Sequence, residues 1–388
     1  MKFVVFGGGT AGWLTALYIQ HHFPQDSITV VSSSEIGVLG AGEGTTPPFV
    51  NLLEEIGIDE NDLFEHCKAT IKTGIKFTNW HGDGESYFHN FSEGLHALHF
   101  DARSLAKYLQ DRAVERGIEA VDTEVTDVLM DNLKNISGLV TSSEVIRGDF
   151  FFDCSGFNRS IIGKVYRSPW QNYPMPCSRA IPFFLPNSGI ALPEYTESIA
   201  LKYGWMWKIP VQGRYGCGYV FDLSKTTDEE ARQEIRDHLG YDFVSPKTIN
   251  FQAGTYKTSW INNCLAIGLS AGFIEPLEAT SIWLQVISLK LFVELFNKHP
   301  QAIEKYNHDI DALNNDILSF LYYHYLTKRN DTDFWKNFRF DNTMPKKLST
   351  LISSRTFYST LDSFNFRTFE NRSWQAISNG IRWPVDNK

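Results

Sequence analysis

The stretch KFVVFGGGTAGW, Lys2–Trp13, decides the fold. KFVVF is an unbroken apolar run of strand length, as expected of a strand covered on both faces of a parallel sheet. It runs directly into GGGTAG, a G-x-G-x-x-G spacing in which each glycine has a task. Gly7 permits a tight turn, Gly9 lets the backbone approach a pyrophosphate, and Gly12 lets the next helix pack closely on the strand. AGWLTALYIQHHF then repeats apolar residues at helical spacing, and DSITVVS is a second strand. Strand, glycine turn, helix and strand form the opening unit of a doubly wound sheet, with a helix N-terminus aimed at an anion. The acidic residue expected after the second strand to hold a ribose is missing. Ser32 fills that slot and Glu35 follows three residues on, so either is a candidate for the ribose.

Further along, Asp101–Gly117 carries an acidic start, a basic last turn and a closing glycine, all helix signals. Residues 166–250 alternate apolar and polar side chains and read as mostly β, with one helix, Thr227–Leu239, opened by the capping-box spacing of Thr226 and Glu229. From Phe251 the pattern returns to strand then helix, and 300–328 is helical and aromatic-rich. Two later turns, DCSGFNRS (Asp153–Ser160) and GLSAGFIEPLEATS (Gly268–Ser281), suit FAD better than NAD. The fold class is therefore α/β: an FAD-binding, Rossmann-like flavoprotein core interleaved with a mixed β/helical substrate region. The expected FAD module is discontinuous, 1–80, 100–165 and 250–297. The expected substrate module takes 81–99, 166–249 and 298–388, and both fold as one unit.

Charge and composition exclude several classes. The net charge of −9 has no basic block, which argues against a nucleic-acid partner. Five scattered cysteines show no metal-ligand spacing and suit buried thiols of a cytoplasmic protein. The start lacks the layout of a signal peptide. The most apolar helix, SIWLQVISLKLFVELF, is interrupted by Gln285, Lys290 and Glu294, so it reads as a core helix and not as a membrane span. GWMWKIP, Gly204–Pro210, places Trp205 and Trp207 on one face if the segment is extended. Two indoles side by side make a wall for an aromatic ligand.

GGGTAGW, GEGTTPPF, CKATIKTGIKFTNW, HFDARSLAKYL, DCSGF, GWMWKIP, GLSAGFIEPLEATS and HYLTKRNDTDFW occur in that order. Together they resemble the flavin-dependent halogenases of the tryptophan-halogenase-like family, whose Trp-x-Trp-x-Ile-Pro signature GWMWKIP carries. The resemblance implies that FADH2 and O2 give a C4a-hydroperoxide that oxidises halide to hypohalous acid. The oxidant crosses a tunnel to a lysine, which presents it to an electron-rich aromatic carbon. That lysine falls on Lys72, flanked at i±4 by Lys68 and Lys76, three lysines that share a face in either regular conformation. The family's glutamate falls on Glu278, with Glu275 as a rival that spacing alone does not separate. Halide would rest on the backbone N–H groups of Thr280 and Ser281. Here Ala279-Thr280-Ser281 replaces the Ser-Thr-Gly of the tryptophan chlorinators, which points to bromide or iodide ahead of chloride. The implied FAD site comprises Gly7, Gly9, Thr10, Ala11, Gly12, Ser32, Glu35, Gly42, Val125, Asp153 and Gly268. GEGTTPP, Gly42–Pro48, resembles the strap that joins the flavin site to the substrate site. Trp205, Trp207, Trp80, His89 and Phe91 would line the substrate chamber, the two tryptophans partitioning it from flavin. Reduced flavin would come from a separate flavin reductase. The family's tryptophan-recognising residues have no match in RTFYSTLDSFNFRTFENRSWQ, Arg355–Gln375, so a small indole or phenol is expected. An FAD monooxygenase of aromatic substrates and a catalytically silent flavin-binding protein remain as alternatives.

Overall fold

The structure, a computed structural model, describes residues 1–37, 43–187, 189, 191–245, 247–338, 344–353 and 368–382. The opening stretch folds as its residues dictate. β1 (Lys2–Phe6) pairs in parallel with β2 (Ser27–Ser32) and with β11 (Phe150–Asp153). β7 (Glu119–Asp122) extends the sheet on one side, and β20 (Cys264–Ala266) and β19 (Trp260–Ile261) on the other. The order β19-β20-β11-β1-β2-β7 reverses direction between β1 and β11, the switch point at which doubly wound sheets bind ligands. α1 (Thr10–His22) and α6 (Thr280–Leu295) cover it, burying Leu14, Leu17, Leu289 and Phe292 with Phe3, Val5 and Phe152. The opposite face buries Val4, Val31 and Phe151 with Ile136, Leu139 and Ile146, and at roughly 25 cal/mol per Å² of apolar area this two-sided burial is what makes the unbroken apolar strands favourable. The five cysteines are free and buried.

A second sheet has the order β17-β13-β16-β15-β14-β4-β5. Its members are β4 (Gly74–Thr78), β5 (Ser86–Asn90), β13 (Arg179–Pro186), β14 (Tyr195–Ala200), β15 (Gly204–Val211), β16 (Arg214–Phe221) and β17 (Ile249–Asn250). All its pairs are antiparallel except β14 with β4. α7 (Ala302–His324) lays Ile317, Leu321 and Tyr322 into the core behind it, with Ile75, Phe77, Trp80 and Trp205. α10 (Asn371–Gly380) adds Trp374 and Ile377 to that core, and its Gly380 packs against the Tyr87 ring. Between the sheets lies a two-stranded ladder, β3 (Thr70–Lys72) with β6 (Ala97–His99).

Two smaller sheets complete the strands: β8 (Val125–Met130), β9 (Ile136–Thr141) and β10 (Val145–Ile146); then β12 (Trp170–Asn172), β18 (Gly254–Tyr256) and β21 (Gly272–Phe273). The remaining helices are α2 (Pro47–Glu55), α3 (Glu60–His66), α4 (Ala102–Glu115), α5 (Asp228–Leu239), α8 (Asp333–Phe338) and α9 (Lys346–Ser353).

Two local expectations need correction. α5 opens one residue later than its spacing suggests: Thr227, not Thr226, caps it, with Glu230 closing the capping box. Both readings satisfy the same three-residue rule, and Thr226 is buried while Thr227 is free to cap. Lys68, Lys72 and Lys76 do not share a face. Lys68 sits in a left-handed turn, Lys72 ends β3, and the break at Thr73 turns Lys76 of β4 outward to Glu197 at 3.2 Å.

Candidate active site

Three turns meet at the carboxyl edge of the parallel sheet. Gly7 has φ +127°, and a Cβ there would stand 2.2 Å from the Cys154 carbonyl oxygen, so only glycine fits beside the turn after β11. Gly268, after β20, would bring a Cβ to 3.1 Å from Ala11. Gly9 differs: nothing stands within 4 Å of where its side chain would be. No side chain caps α1, so its first N–H groups face that open space. A bare helix start, an open glycine and a crossover edge fit a dinucleotide pyrophosphate. Thr10, Ala11 and Gly12 form the first turn of α1, and the Ala11 carbonyl accepts from Gln285 of α6 at 3.1 Å. Ser32 lies at the glycine turn, its Oγ 2.6 Å from where a Cβ on Gly8 would be, whereas Glu35 is exposed beyond the strand end. Val125 starts β8, half-buried. Asp153 is buried and spends both oxygens on its own turn, accepting from Ser155, Ile161 and Ile162. Its carboxylate thus fixes the backbone of the turn after β11. Gly42 lies outside the described residues.

Lys72 is fully buried. Its Nζ donates to the Thr45 carbonyl at 2.8 Å and lies 5.5 Å from the centre of the Phe91 ring. Burial pushes this amine down to about 8, against the opposing field of the Glu278 carboxylate. It therefore changes charge near neutral pH, where an ordinary lysine does not.

Glu278 lies in a short 3₁₀ turn, Leu277–Ala279, just before α6. It has φ +64° and Ala279 has φ +55°, two consecutive left-handed residues with side chains. Such conformations cost on the order of 1–3 kcal/mol each and persist where surroundings over-determine them. Here the surroundings are two histidines. Glu278 Oε1 lies 2.9 Å from His89 Nδ1 and 2.9 Å from His324 Nε2, and Oε2 lies 3.0 Å from His89 Nδ1. The Phe320 carbonyl, 2.8 Å from His324 Nδ1, can only accept, so that nitrogen carries a proton. His324 Nε2 then either donates as part of an imidazolium or accepts from a carboxylic acid. Burial pushes the Glu278 carboxyl up, but the two imidazoles outweigh it and hold it well below the usual carboxylate range. Glu278 is therefore held as the carboxylate.

Glu275, the rival in the sequence, is bound elsewhere. Its Oε1 accepts from Trp205 Nε1 at 2.6 Å and from the Tyr325 hydroxyl. Burial pushes its carboxyl up to about 7, and these two donors oppose that only in part. The structure thus separates the two glutamates: one orients an indole, the other meets two imidazoles and the field of Lys72.

Trp205 and Trp207 do lie on one side of β15, ring centres 6.3 Å apart and edge-on. Trp207 lies across β16 at Gly218, where a Cβ would stand 2.1 Å from its ring. Trp80 is core: it is buried, its Nε1 donates to the Ser198 carbonyl at 3.0 Å, and it packs on Trp335 and Tyr325. Thr280 and Ser281 start α6, and no side chain caps that helix. Their N–H groups belong to the first turn, which lacks intrahelical acceptors. A cavity of about 20 Å³ adjoins them, lined also by Gly268, Gln285 and Asn314, room for one small solute.

The sequence profile of tryptophan halogenases matches residues 2–98 and 93–387. The chain belongs to the tryptophan halogenase family. This halogenase is an FADH2-dependent oxidoreductase, of a family that uses halide and O2. It is similar to tryptophan 6-halogenase SttH of Streptomyces toxytricini, 30% identical over 87% of this chain and 80% of the relative. The crystal structure of SttH superposes with a TM-score of 0.92, covering 98% of this chain and 90% of that one. Tryptophan 7-halogenase RebH of Lentzea aerocolonigenes is 29% identical over 89% and 81% of the two chains. BrvH, a flavin-dependent halogenase from Brevundimonas sp. BAL3, superposes with a TM-score of 0.89 at 28% identity, covering 98% and 90%. Among the described residues no helix is long and apolar enough to cross a membrane.

The sequence gives no hint of His324 in the site. It sits in FLYYHYL at the end of α7, and the stretch from His324 to Trp335 carries resemblance without a role for this residue. In the structure His324 ends a run of buried residues that begins at Asp316.

Proposed function

We propose that this halogenase puts halogen on a small electron-rich aromatic of indole or phenol type, with Lys72 and Glu278 as its catalytic residues. The observation that carries the reading is Lys72: a buried amine, poised near neutral pH, between the Thr45 carbonyl, the Phe91 ring and the field of Glu278. FAD, when bound and reduced, supplies the electrons with which O2 converts halide to hypohalous acid. Gly7, Gly9, Thr10, Ala11 and Gly12 would hold its pyrophosphate, with Ser32, closer to the glycine turn than Glu35, toward the ribose. Asp153, Val125 and Gly268 would form the walls. The N–H groups of Thr280 and Ser281 would hold the halide.

Lys72 meets the hypohalous acid in either charge state. The ammonium donates one N–H to Thr45 and has others to polarise the oxidant, while the neutral amine offers a lone pair. Glu278 is ionised and fixed by His89 and His324, so it can take the ring proton once the carbon–halogen bond has formed. His89 ties the substrate side of the chamber to that carboxylate. Trp205 and Trp207 keep the arene from the flavin, and Glu275 fixes the first of them. Ala279-Thr280-Ser281 supports bromide or iodide as the preferred halide. A separate flavin reductase supplies FADH2.

The test is incubation with FAD, a flavin reductase, NADH, indole, and bromide and chloride in competition. Brominated indole that disappears in Lys72→Ala is the expected result. Hydroxylated indole would assign the protein to the monooxygenases, and a dominant chlorinated product would overturn the halide preference.

A further inference from the structure

We propose that Arg214, Glu43 and the bare position at Gly216 form a seat that holds the backbone of Glu43–Thr45 against Lys72, making Arg214 and Glu43 positioning residues for that lysine. The inference rests on the reading of Lys72 as the reactive amine.

Glu43 is only 5% exposed, and a carboxylate at such depth requires a charged partner. Arg214, the first residue of β16, supplies it as a fork: Nη2 to Oε1 at 2.6 Å and Nη1 to Oε2 at 3.2 Å. The same Nη2 lies 2.6 Å from Asp101 Oδ2, and the other Asp101 oxygen caps α4 through Ser104 N at 2.9 Å. The guanidinium is also stacked 4.0 Å over Phe184. Arg214 is thus fixed by a helix cap and a ring before it meets Glu43. Space for the carboxylate comes from Gly216: a Cβ there would stand 1.7 Å from Glu43 Oε2. Any other residue at 216 evicts the carboxylate.

What this seat holds is the segment that faces Lys72. The Glu43 carbonyl accepts from Phe100 N at 2.9 Å, and Thr45 N donates to the Leu98 carbonyl at 3.1 Å. Thr45 Oγ1 donates to that carbonyl at 2.7 Å and accepts from Leu98 N at 3.1 Å. Every polar atom of Thr45 but its own carbonyl is thereby tied to β6, and that carbonyl receives Lys72 Nζ. The other titratable groups facing Lys72 are Glu278 and His99. Burial and the Lys72 charge hold the His99 imidazole well below its usual range, so it is neutral; Thr70 Oγ1 gives its one proton to the Pro210 carbonyl, so Nδ1 donates to Thr70 and Nε2 is left to accept from Thr196. The Thr45 carbonyl and Glu278 are therefore the two groups that hold the ammonium form, and the seat governs the first.

The test uses the flavin-loaded enzyme with its reductase and two variants. Gly216→Ala fills the seat. Glu43→Gln/Arg214→Gln removes both charges at once, so that neither is left buried alone if the first variant fails to fold. Crystal structures of each should show the Thr45 oxygen displaced beyond about 3.5 Å from Lys72 Nζ. kcat should fall by about tenfold or more, with KM for indole within about twofold, the mark of lost positioning. The pH limb of kcat reporting Lys72 should move to lower pH by roughly half a unit, since an acceptor for the ammonium is gone. A contact that stays at its original length with an unmoved limb overturns the seat, even if activity falls. Lys72→Ala is assayed alongside. If it still halogenates, the catalytic reading of Lys72 fails, and the Thr45 distance alone then decides the seat.

Discussion

Replacing Lys72 by methionine should make the protein more stable while abolishing its activity. The amine falls from its usual 10.5 to about 8 inside the fold. At 1.36 kcal/mol per pH unit, keeping it charged costs the native state roughly 3 kcal/mol. Methionine fills similar volume without charge, and it forfeits the hydrogen bond to Thr45, worth about 1 kcal/mol. The net gain expected at pH 7 is about 2 kcal/mol, a rise of a few degrees in Tm. The sign with pH is fixed. Below about 8 the lysine is charged both folded and unfolded, and the whole penalty is present. Between about 8 and 10.5 the unfolded chain binds the extra proton, so wild-type stability rises with pH and the advantage of the variant shrinks. The assay is thermal unfolding of both proteins from pH 6.5 to 10.5. A variant no more stable at pH 7, or an advantage that does not shrink toward pH 10.5, refutes the claim that Lys72 is held at an energetic cost.

Trp205→Phe removes one of the two donors to Glu275 Oε1 and should cost about 1–3 kcal/mol, since a buried carboxyl loses a partner. The carboxyl sits at about 7, so the loss should be larger at pH 8, where it is ionised, than at pH 5.5, where it is protonated; equal losses at both would disprove the link. Gly218→Ala drives a Cβ into the Trp207 ring and should cost roughly 1–3 kcal/mol by overpacking, part of which Trp207→Leu restores in the double variant. Thermal unfolding of the four proteins checks this, and additive losses would show that ring and glycine do not compete for the same space.

The two halves of the structure were legible to different degrees, for physical reasons. The glycine turn after β1 is readable because Gly7, Gly9 and Gly12 each answer a local demand of backbone geometry. The fold and family followed from it together with the ordered motifs. The site side chains were not readable in the same way. Glu275 and Glu278 are three residues apart and both buried, and only the strands and helices that reach them tell them apart. The lysine spacing suggested one shared face because local periodicity cannot see the break at Thr73, where the chain leaves one sheet for another. Gly216 and Gly218 look like weak points in a strand, yet each makes room for a side chain more than ten residues away in sequence or on another strand: Glu43 and Trp207. Their signal, G-C-G within the strand RYGCGYVF, is present in the sequence but has meaning only once β15 and the Glu43 segment are laid against it.

The two left-handed residues Glu278 and Ala279 have a consequence for how the enzyme loses activity on heating. Their backbone is held by contacts from β5, through His89, and from α7, through His324, while Glu275 pins the same segment to Trp205 and Tyr325. Once thermal motion loosens any one of these holds, the segment gains by relaxing toward an ordinary conformation, and the carboxylate turns away while both sheets are still intact. Inactivation should therefore run ahead of melting, and the useful temperature range of the catalyst is set by four side-chain contacts and not by the size of its core.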